Sequence, residues 1–283
     1  MRRKPGGSRV PAREQETAMK DFGQDPQGHA DCGVIYVATG PAYVDLACRS
    51  AASIRALNPA LSIDIFTDLS LGNWAADFDR VHPVPRVHAR AKVDCLGLSR
   101  FARTLYLDCD TLAVAPFGDL FDLLARFDLA LAHDVRRNSD LVQQGFAVAT
   151  PYAFPQLNSG VVLYRRSPAM LGFLAEWARR YRAAGVLRDQ VTLKDLLWES
   201  DLRFYVLPPE FNLRRVTELD VWEPLDARPT LIHSHRFMDH MRDPSAERIT
   251  TLERLREVER AALEREWAEA APRPIRSVPL KVG

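Results

Sequence analysis

The sequence predicts an α/β protein: a mixed central sheet flanked by helices. Three observations carry the prediction. A strand–helix–strand unit runs through "GVIYVATG" (33–40), an amphipathic stretch at 42–56 and "SIDIFTD" (62–68). That order implies a parallel strand pair joined by a right-handed crossover. An apolar run, "TLYLDCDT" (104–111), ends in two aspartates one residue apart, as strands do where a parallel sheet offers side chains to a ligand. Short apolar runs keep alternating with helical stripes to about residue 235, without internal repeats.

Residues 1–30 are rich in Gly, Pro, Gln and charge and lack apolar periodicity, so disorder is expected there, with Met19 an alternative start. The first strand is closed by Gly40. In the helix over 42–56, Val44, Ala47, Cys48, Ala51, Ala52 and Ile54 recur at helical spacing. "RVHPVP" (80–85) is a candidate third strand and 91–99 a helix. "TLYLD" reads as a buried central strand, "TLAVA" (111–115) as extended, and Gly118 to Arg126 as a helix. "DLALAH" (128–133) and "GVVLYR" (160–165) add two strands. Between them, 134–157 has no apolar period, the mark of a functional or mobile loop.

Ser167-Pro168 sets an N-cap and a first helical residue in the expected order. Leu171, Leu174, Trp177, Ala178 and Tyr181 form the stripe of the helix that follows. A further helix covers 189–199, and "FYVLP" (204–208) and "TLIH" (230–233) are late strands. Pro244 and Ser245 open a charged helix, 245–270, ahead of a Pro-rich tail, 272–283. That helix carries seven Glu and five Arg, with Ile249, Leu252, Leu255, Val258, Ala262 and Leu263 on its apolar side. Packing on the main domain is its default use and homodimerisation the other.

Composition removes several function classes. A hydrophobic content of 47% with 27% charged residues suits a soluble globular chain. The formal net charge of +1 leaves no electrostatic footprint for nucleic acid or an anionic membrane. No apolar run approaches the roughly 20 residues that span a bilayer. The basic start "MRRK" has no apolar stretch after it, so a secretory signal is not expected there. Cys32, Cys48, Cys95 and Cys109 have neither metal-site nor disulfide-framework spacing. They are expected as free thiols in a reducing cytoplasm, with a peripheral position on the inner membrane face the alternative.

Three readings compete for "DCD". In one, Asp108 and Asp110 leave the strand on the same side, because side chains alternate, and hold a divalent cation that carries a diphosphate. In another, Asp108 is a phosphohydrolase nucleophile in D-x-D-x-T; here Thr111 comes one residue early and Leu112 occupies its slot. In the third, the aspartates merely end a strand and start a turn.

Context separates them. "YVATGPAY", "RTLYLDCDTLAV", "LNSGVVLY" (157–164), "RDQVTL" (188–193), "LPPEFNLR" (207–214) and "LIHSH" (231–235) follow in order. Together they resemble glycosyltransferase family 8, the glycogenin-like and lipopolysaccharide galactosyltransferase-like group with the GT-A fold, over about 33–235. The resemblance implies a Rossmann-like mixed sheet, with a GT-A domain over 31–243 between the disordered extension and the C-terminal segment 244–283. It also implies a metal-dependent, retaining hexosyltransferase. The donor would be a nucleoside diphosphate sugar, UDP-glucose or UDP-galactose, and the acceptor a saccharide, a glycolipid or another hydroxyl. The cofactor would be Mn2+ or Mg2+.

The resemblance also assigns residues. Asp108 and Asp110 carry over as metal ligands, with His233 the third and His235 its alternative. The family's H-x-x-G-x-K-P-W continuation is "HSHRFMDH" here, which blurs the register and removes a lysine that Arg236 would replace. Lys92, sixteen residues before Asp108, would balance phosphate charge or touch the sugar; a solvated helix lysine is the plain reading. Ala38, Thr39 and Tyr43 resemble the nucleobase loop, with Tyr43 stacking on uracil or, alternatively, packing in the core. Gly40 and Pro41 stand where some members carry an acidic or amide side chain. Asn158 and Ser159 would hydrogen-bond the donor sugar and Gly160 permit close approach; a turn is the plain alternative. Gln190 would stabilise the oxocarbenium-like centre in a same-face mechanism, and Asp189 would hold sugar hydroxyls or merely cap a helix. Asn212 resembles an asparagine of the donor or acceptor site.

Rival enzyme classes lack their parts. A phosphohydrolase needs Thr at 112, a downstream lysine and a second acidic cluster. A sugar-1-phosphate nucleotidyltransferase needs a Gly-rich, Arg-containing loop after the first strand. A catalytically silent nucleotide-sugar binder is the non-enzyme alternative, against which the intact Asp108, Asp110 and Asp189 argue.

Overall fold

The apolar run ahead of Asp108 is the centre of the molecule. In the computed structural model, which describes residues 31–269, it forms β4 (Arg103–Leu107), with Leu105, Tyr106 and Leu107 buried. The expected disordered extension 1–30, Met19 within it, and the tail 272–283 lie outside the described residues. Before β4 come β1 (Cys32–Ala38), α1 (Pro41–Leu57), β2 (Ser62–Thr67), β3 (Arg80–Pro83) and α2 (Lys92–Cys95). After it come β5 (Thr111–Ala113), β6 (Leu129–Ala132), α3 (Asp140–Gln143), β7 (Val161–Arg165), α4 (Pro168–Ala184) and α5 (Asp189–Glu199). The chain continues through β8 (Phe204–Leu207), β9 (Leu231–His233), α6 (Asp239–Arg242) and α7 (Leu252–Glu269).

The main sheet has seven strands in the order β3-β2-β1-β4-β7-β6-β8. β3, β2, β1 and β4 are mutually parallel, and of these pairings the β1–β2 one is what the opening strand–helix–strand unit predicts. β7 runs antiparallel to both β4 and β6, and β6 pairs parallel with β8. The C-terminal ends of β1, β4, β6 and β8 therefore share one edge with the start of β7. β5 and β9 form a separate antiparallel pair.

Strand alternation divides the core into two layers. Val34, Tyr36 and Ala38 of β1 face Val44, Ala47, Ala51 and Ile54 of α1. Ile35 faces the other layer, with Tyr106, Val162, Leu174, Trp177 and Leu193 under α4 and α5. The α1 face departs from the expected stripe: Ala52 is exposed, whereas Leu46 and Ser50 are buried. Ser50 is tolerated there because its hydroxyl meets Tyr36 Oη at 2.7 Å and Thr111 Oγ1 at 2.7 Å, so no buried polar group is orphaned.

Ser167 caps α4 as expected, its hydroxyl accepting from Met170 N, and Gly185 closes the helix in the left-handed region at φ 63°. The helix expected over 91–99 is α2 continued by a 3-10 turn at Leu96–Leu98, and the one expected over 118–126 is a 3-10 helix, Gly118–Ala125. Segment 134–157 contains α3 and is tied to α5. The buried Asp195 carboxylate accepts from the backbone N–H groups of Phe146, Ala147 and Val148 at 3.0, 2.6 and 3.2 Å.

The C-terminal helix starts at Leu252, not at Ser245. Asp243 accepts from both the N–H and the hydroxyl of Ser245, which locks a turn instead of a first helical turn. Ile249 is buried outside the helix, its carbonyl accepting from Arg49. No described helix is long and apolar enough to cross a membrane.

Candidate active site

The shared strand edge collects the motif residues. The β4–β7 register pairs Leu107 with Val161, so the next step brings Asp108 to Gly160, where Asp108 N donates to Gly160 O at 2.7 Å. The β5–β9 register pairs Thr111 with His233, and Ser234 N donates to Asp110 O at 3.0 Å. Backbone pairing thus places Asp108, Asp110 and His233 together. One ligand atom from each lies within 4.8 Å of the others. His233 Nε2 is 3.7 Å from Asp108 Oδ2 and 3.3 Å from Asp110 Oδ1.

This donor set fits a divalent cation. Two carboxylate oxygens and an imidazole nitrogen suit Mn2+ and accommodate Mg2+. His233 Nδ1 meets Asn212 Oδ1 at 2.9 Å, while Asn212 Nδ2 donates to Asn158 Oδ1 at 3.0 Å. Asn158 Oδ1 also accepts from Gly160 N at 3.0 Å. The chain of amides makes Nδ1 a hydrogen-bond donor and turns Nε2 toward the carboxylates, as outer partners of metal histidines do. Gly160 has no room for a side chain: a Cβ would sit 2.0 Å from His233 Cε1 and 2.7 Å from Asp108 Oδ2. Burial opposes ionisation of Asp110, but His233 and Arg214 outweigh it and hold its carboxyl below the ordinary carboxylate range.

Beside this cluster lies a second one, buried and charged. Lys92, only 5% exposed, donates from Nζ to Asp108 Oδ1 at 3.1 Å, Ser159 O at 2.8 Å and Ser159 Oγ at 3.1 Å. Its Nζ is 3.6 Å from Asp189 Oδ2, and Arg90 Nε is 3.4 Å from Asp189 Oδ1. Ser159 Oγ donates to Asp189 Oδ2 at 2.7 Å. Burial works against the Asp189 carboxylate, yet Lys92, Arg90 and Ser159 keep its pKa below the usual value. Tyr106 Oη donates to Asp108 Oδ1; burial and then Asp108 push its own pKa well up, so it stays a donor.

A cavity of about 740 Å³ opens on both clusters. Asp108, Asp110, His233, Lys92, Asn158 and Gln190 line it. Gln190 Nε2 donates to Asp134 Oδ2 at 2.7 Å, and Arg188 adds a contact to the same oxygen at 3.2 Å. Thr39 and Tyr43 also line the cavity, Tyr43 at 43% exposure, so Tyr43 is not a core residue. Ala38 is turned into the core by strand alternation, and Val37 lines the cavity instead. Ser159, Asp189 and Asn212 are buried behind the lining. His235 lines the cavity outside the three-residue cluster, because the chain leaves β9 at Ser234 and turns at His235–Met238. Lys92 is not a solvated helix lysine.

Sequence reasoning missed Tyr106, Arg90, Asp134 and Arg214. Tyr106 had a signal, since it lies two residues before Asp108 on the same face. Asp134 follows β6, whose end lies on the shared edge. Arg90 and Arg214 had none.

No family model matches the chain, and none of the curated proteins matches it in sequence. Solved structures do match. The glycosyltransferase GlyE of Streptococcus pneumoniae TIGR4 aligns over 88% of this chain and 67% of its own, at 16% identity and TM-score 0.53. The galactosyltransferase LgtC, solved with donor and acceptor sugar analogs, aligns over 72% of this chain and 87% of its own, at 18% identity and TM-score 0.51. Mouse xyloside xylosyltransferase 1 aligns over 72% of this chain and 98% of its own, at 15% identity and TM-score 0.50. The chain has the GT-A fold. In this GT-A fold the cavity occupies the strand-end edge where open α/β sheets bind ligands. At such identities the similarity speaks for the fold alone, and residue roles rest on the geometry above.

Proposed function

We propose that this protein is a metal-dependent, retaining glycosyltransferase that moves a hexose from a nucleoside diphosphate sugar, UDP-glucose or UDP-galactose, to a hydroxyl of a saccharide, glycolipid or other acceptor. One observation carries the reading: two carboxylates and an amide-oriented imidazole converge on the floor of a cavity that also holds Gln190. A phosphohydrolase would need an acidic cluster and lysine arranged around an Asp nucleophile. Here Leu112 stands where that class carries its threonine, and the lysine on Asp108 is Lys92, upstream of it rather than downstream.

Asp108, Asp110 and His233 would hold the cation. When bound, Mn2+ or Mg2+ supplies charge neutralisation for the departing diphosphate. Thr39 and Tyr43 line the end of the cavity next to β1, and their position supports a base-binding role, with Tyr43 free to stack. Gln190 is held by Asp134 with its amide N–H, which leaves its carbonyl oxygen for the electron-poor anomeric centre. An amide is a poor nucleophile, so the acceptor proton passes to the leaving phosphate oxygen on the same face. Asp189 acts from behind, as the counter-ion that sets Lys92 and Arg90. The free thiols of all four cysteines support a reducing, cytoplasmic setting.

The test is a thermal-shift panel of UDP, GDP, ADP and CDP with and without Mn2+, followed by transfer assays with UDP-glucose and UDP-galactose. UDP with Mn2+ should raise the melting temperature most, because a ligand of the native state stabilises it by mass action. Absence of any Mn2+-dependent shift would remove the reading. Binding without hydrolysis or transfer would leave a silent nucleotide-sugar binder.

A further inference from the structure

The arginines and the lysine of the cavity separate into those paired with a carboxylate and one that is not. Arg90 and Lys92 face Asp189, and Arg188 faces Asp134. Arg136 and Arg215 both reach Glu266, at 2.5 and 3.7 Å, and Arg236 reaches Asp239 at 3.5 Å. Arg214 also lines the cavity, and among the described residues no carboxylate oxygen lies within 4.0 Å of its guanidinium.

Its backbone setting is firm. Leu213 bridges Ile232 in parallel, with Leu213 N donating to Leu231 O at 2.8 Å and His233 N to Leu213 O at 3.0 Å. This edge pairing sets Arg214 alongside His233, whose carbonyl accepts from Arg214 Nη1 at 3.0 Å. The Nε of Arg214 is buried without a partner. A guanidinium with donors to spare, fixed beside a metal-ligand cluster, calls for an anion with several oxygens.

We infer that Arg214 anchors the diphosphate of the donor, gripping phosphate oxygens next to the Asp108–Asp110–His233 cluster and stabilising the charge that grows on the leaving group. The inference rests on the nucleotide-sugar reading above and adds a residue to it. Arg236 is the weaker neighbour: its guanidinium is already turned to Asp239, although its Nε is likewise unpartnered.

The experiment measures binding by calorimetry to the full chain, wild type and Arg214→Met, with UDP, GDP and inorganic pyrophosphate, each in Mn2+. Binding of Mn2+ alone is read by electron paramagnetic resonance. Arg214→Met should weaken UDP and pyrophosphate alike by at least about tenfold, the scale of a lost charge-assisted contact, with Mn2+ affinity unchanged. Arg214→Lys keeps the charge but loses the fork, and should fall between. If Arg214→Met does not fold, as judged by circular dichroism, the lysine variant decides, and wild-type affinity in it overturns the inference. Undiminished diphosphate binding by a folded Arg214→Met also overturns it. So does an equal loss of Mn2+ binding, which would make Arg214 a prop for His233. Failure of the wild type to bind any of the three probes would instead bring down the nucleotide-sugar reading, and the inference with it.

Discussion

The cavity has two unlike sides. Its floor is built by backbone pairing: Asp108, Asp110, Asn158 and His233 sit on strand ends or beside them, and the last three are at most 6% exposed. Its rim is built by side chains that reach across solvent. Arg136, in the left-handed region at φ 59°, pairs with Glu266 at 2.5 Å, with the two side chains 56% and 43% exposed. Leu141 on α3 is 57% exposed, and α7 supplies Ala262 and Leu263. The floor has one geometry, over-determined by hydrogen bonds, as a metal and a diphosphate require. The rim is adaptable, as an acceptor site on loops tends to be. Substitutions should therefore act on chemistry at the floor and hardly at all at the rim.

The largest effect should come from Asp110→Ala. Losing a carboxylate from the proposed metal site removes several kcal/mol of leaving-group stabilisation, on the order of a thousandfold in turnover. Mn2+-dependent UDP binding should vanish while circular dichroism stays native. Retained binding that still requires Mn2+ would end the assignment.

Gln190→Ala comes next. An amide acting on developing positive charge works mainly in the transition state, so turnover should drop about a hundredfold with little change in donor affinity. The anomeric proton of the product, read by NMR coupling, should show an α-linked product from an α-linked donor. A β-linked product would require a carboxylate base. Asp134, which lines the cavity, would then be the candidate rather than Asp189, which does not.

Asp189→Ala tests the buried cluster by stability instead. It strips Lys92 and Arg90 of their shared carboxylate, and breaking a buried pair should cost about 3 kcal/mol in denaturant unfolding. Because the Asp189 pKa is lowered on folding, its stabilisation is present above the ordinary carboxylate pKa and fades as pH falls below it. The wild-type advantage over the mutant should accordingly shrink in acid. A constant difference between pH 7 and pH 3 would contradict the ion-pair account.

How much of this was legible in the sequence follows the same division. The floor was readable because strand periodicity puts Asp108 and Asp110 on one side, and because motif residues lie at strand ends. The contacts behind the floor were less readable than the positions: Asn212 hydrogen-bonds His233, and Asp189 and Ser159 face Lys92 rather than the cavity. Those contacts depend on the order β4-β7-β6-β8, in which β7 runs backwards, and no local pattern encodes that order. Asp134 was hidden for the same reason. The rim was illegible, since Arg136 and Glu266 are 130 residues apart. The late start of α7 also escaped, because Asp243 captures Ser245 in a turn that composition does not distinguish from a cap.

Asn212→Ala probes the layer just behind the floor. It leaves all three proposed ligands in place but frees His233 Nδ1 and Asn158 Oδ1 from their shared partner. Loss of such an outer contact should lower Mn2+ affinity about 10- to 100-fold, with a smaller effect on UDP binding at saturating metal.

The smallest effect should come from Glu266→Ala at the rim. The pair it forms with Arg136 is exposed on both sides, and exposed pairs contribute about 0–1 kcal/mol. Burial opposes the Glu266 carboxylate, but Arg136 and Arg215 hold its pKa below the usual value. Unfolding free energy should therefore move by less than about 1 kcal/mol, and UDP affinity in saturating Mn2+ should be unchanged. What can change is the acceptor step, because Arg136 and Arg215, both lining the cavity, would lose their common partner. A substantial loss of UDP affinity in Glu266→Ala would mean that α7 is part of the donor site, and the separation between a rigid floor and an adaptable rim would have to be redrawn.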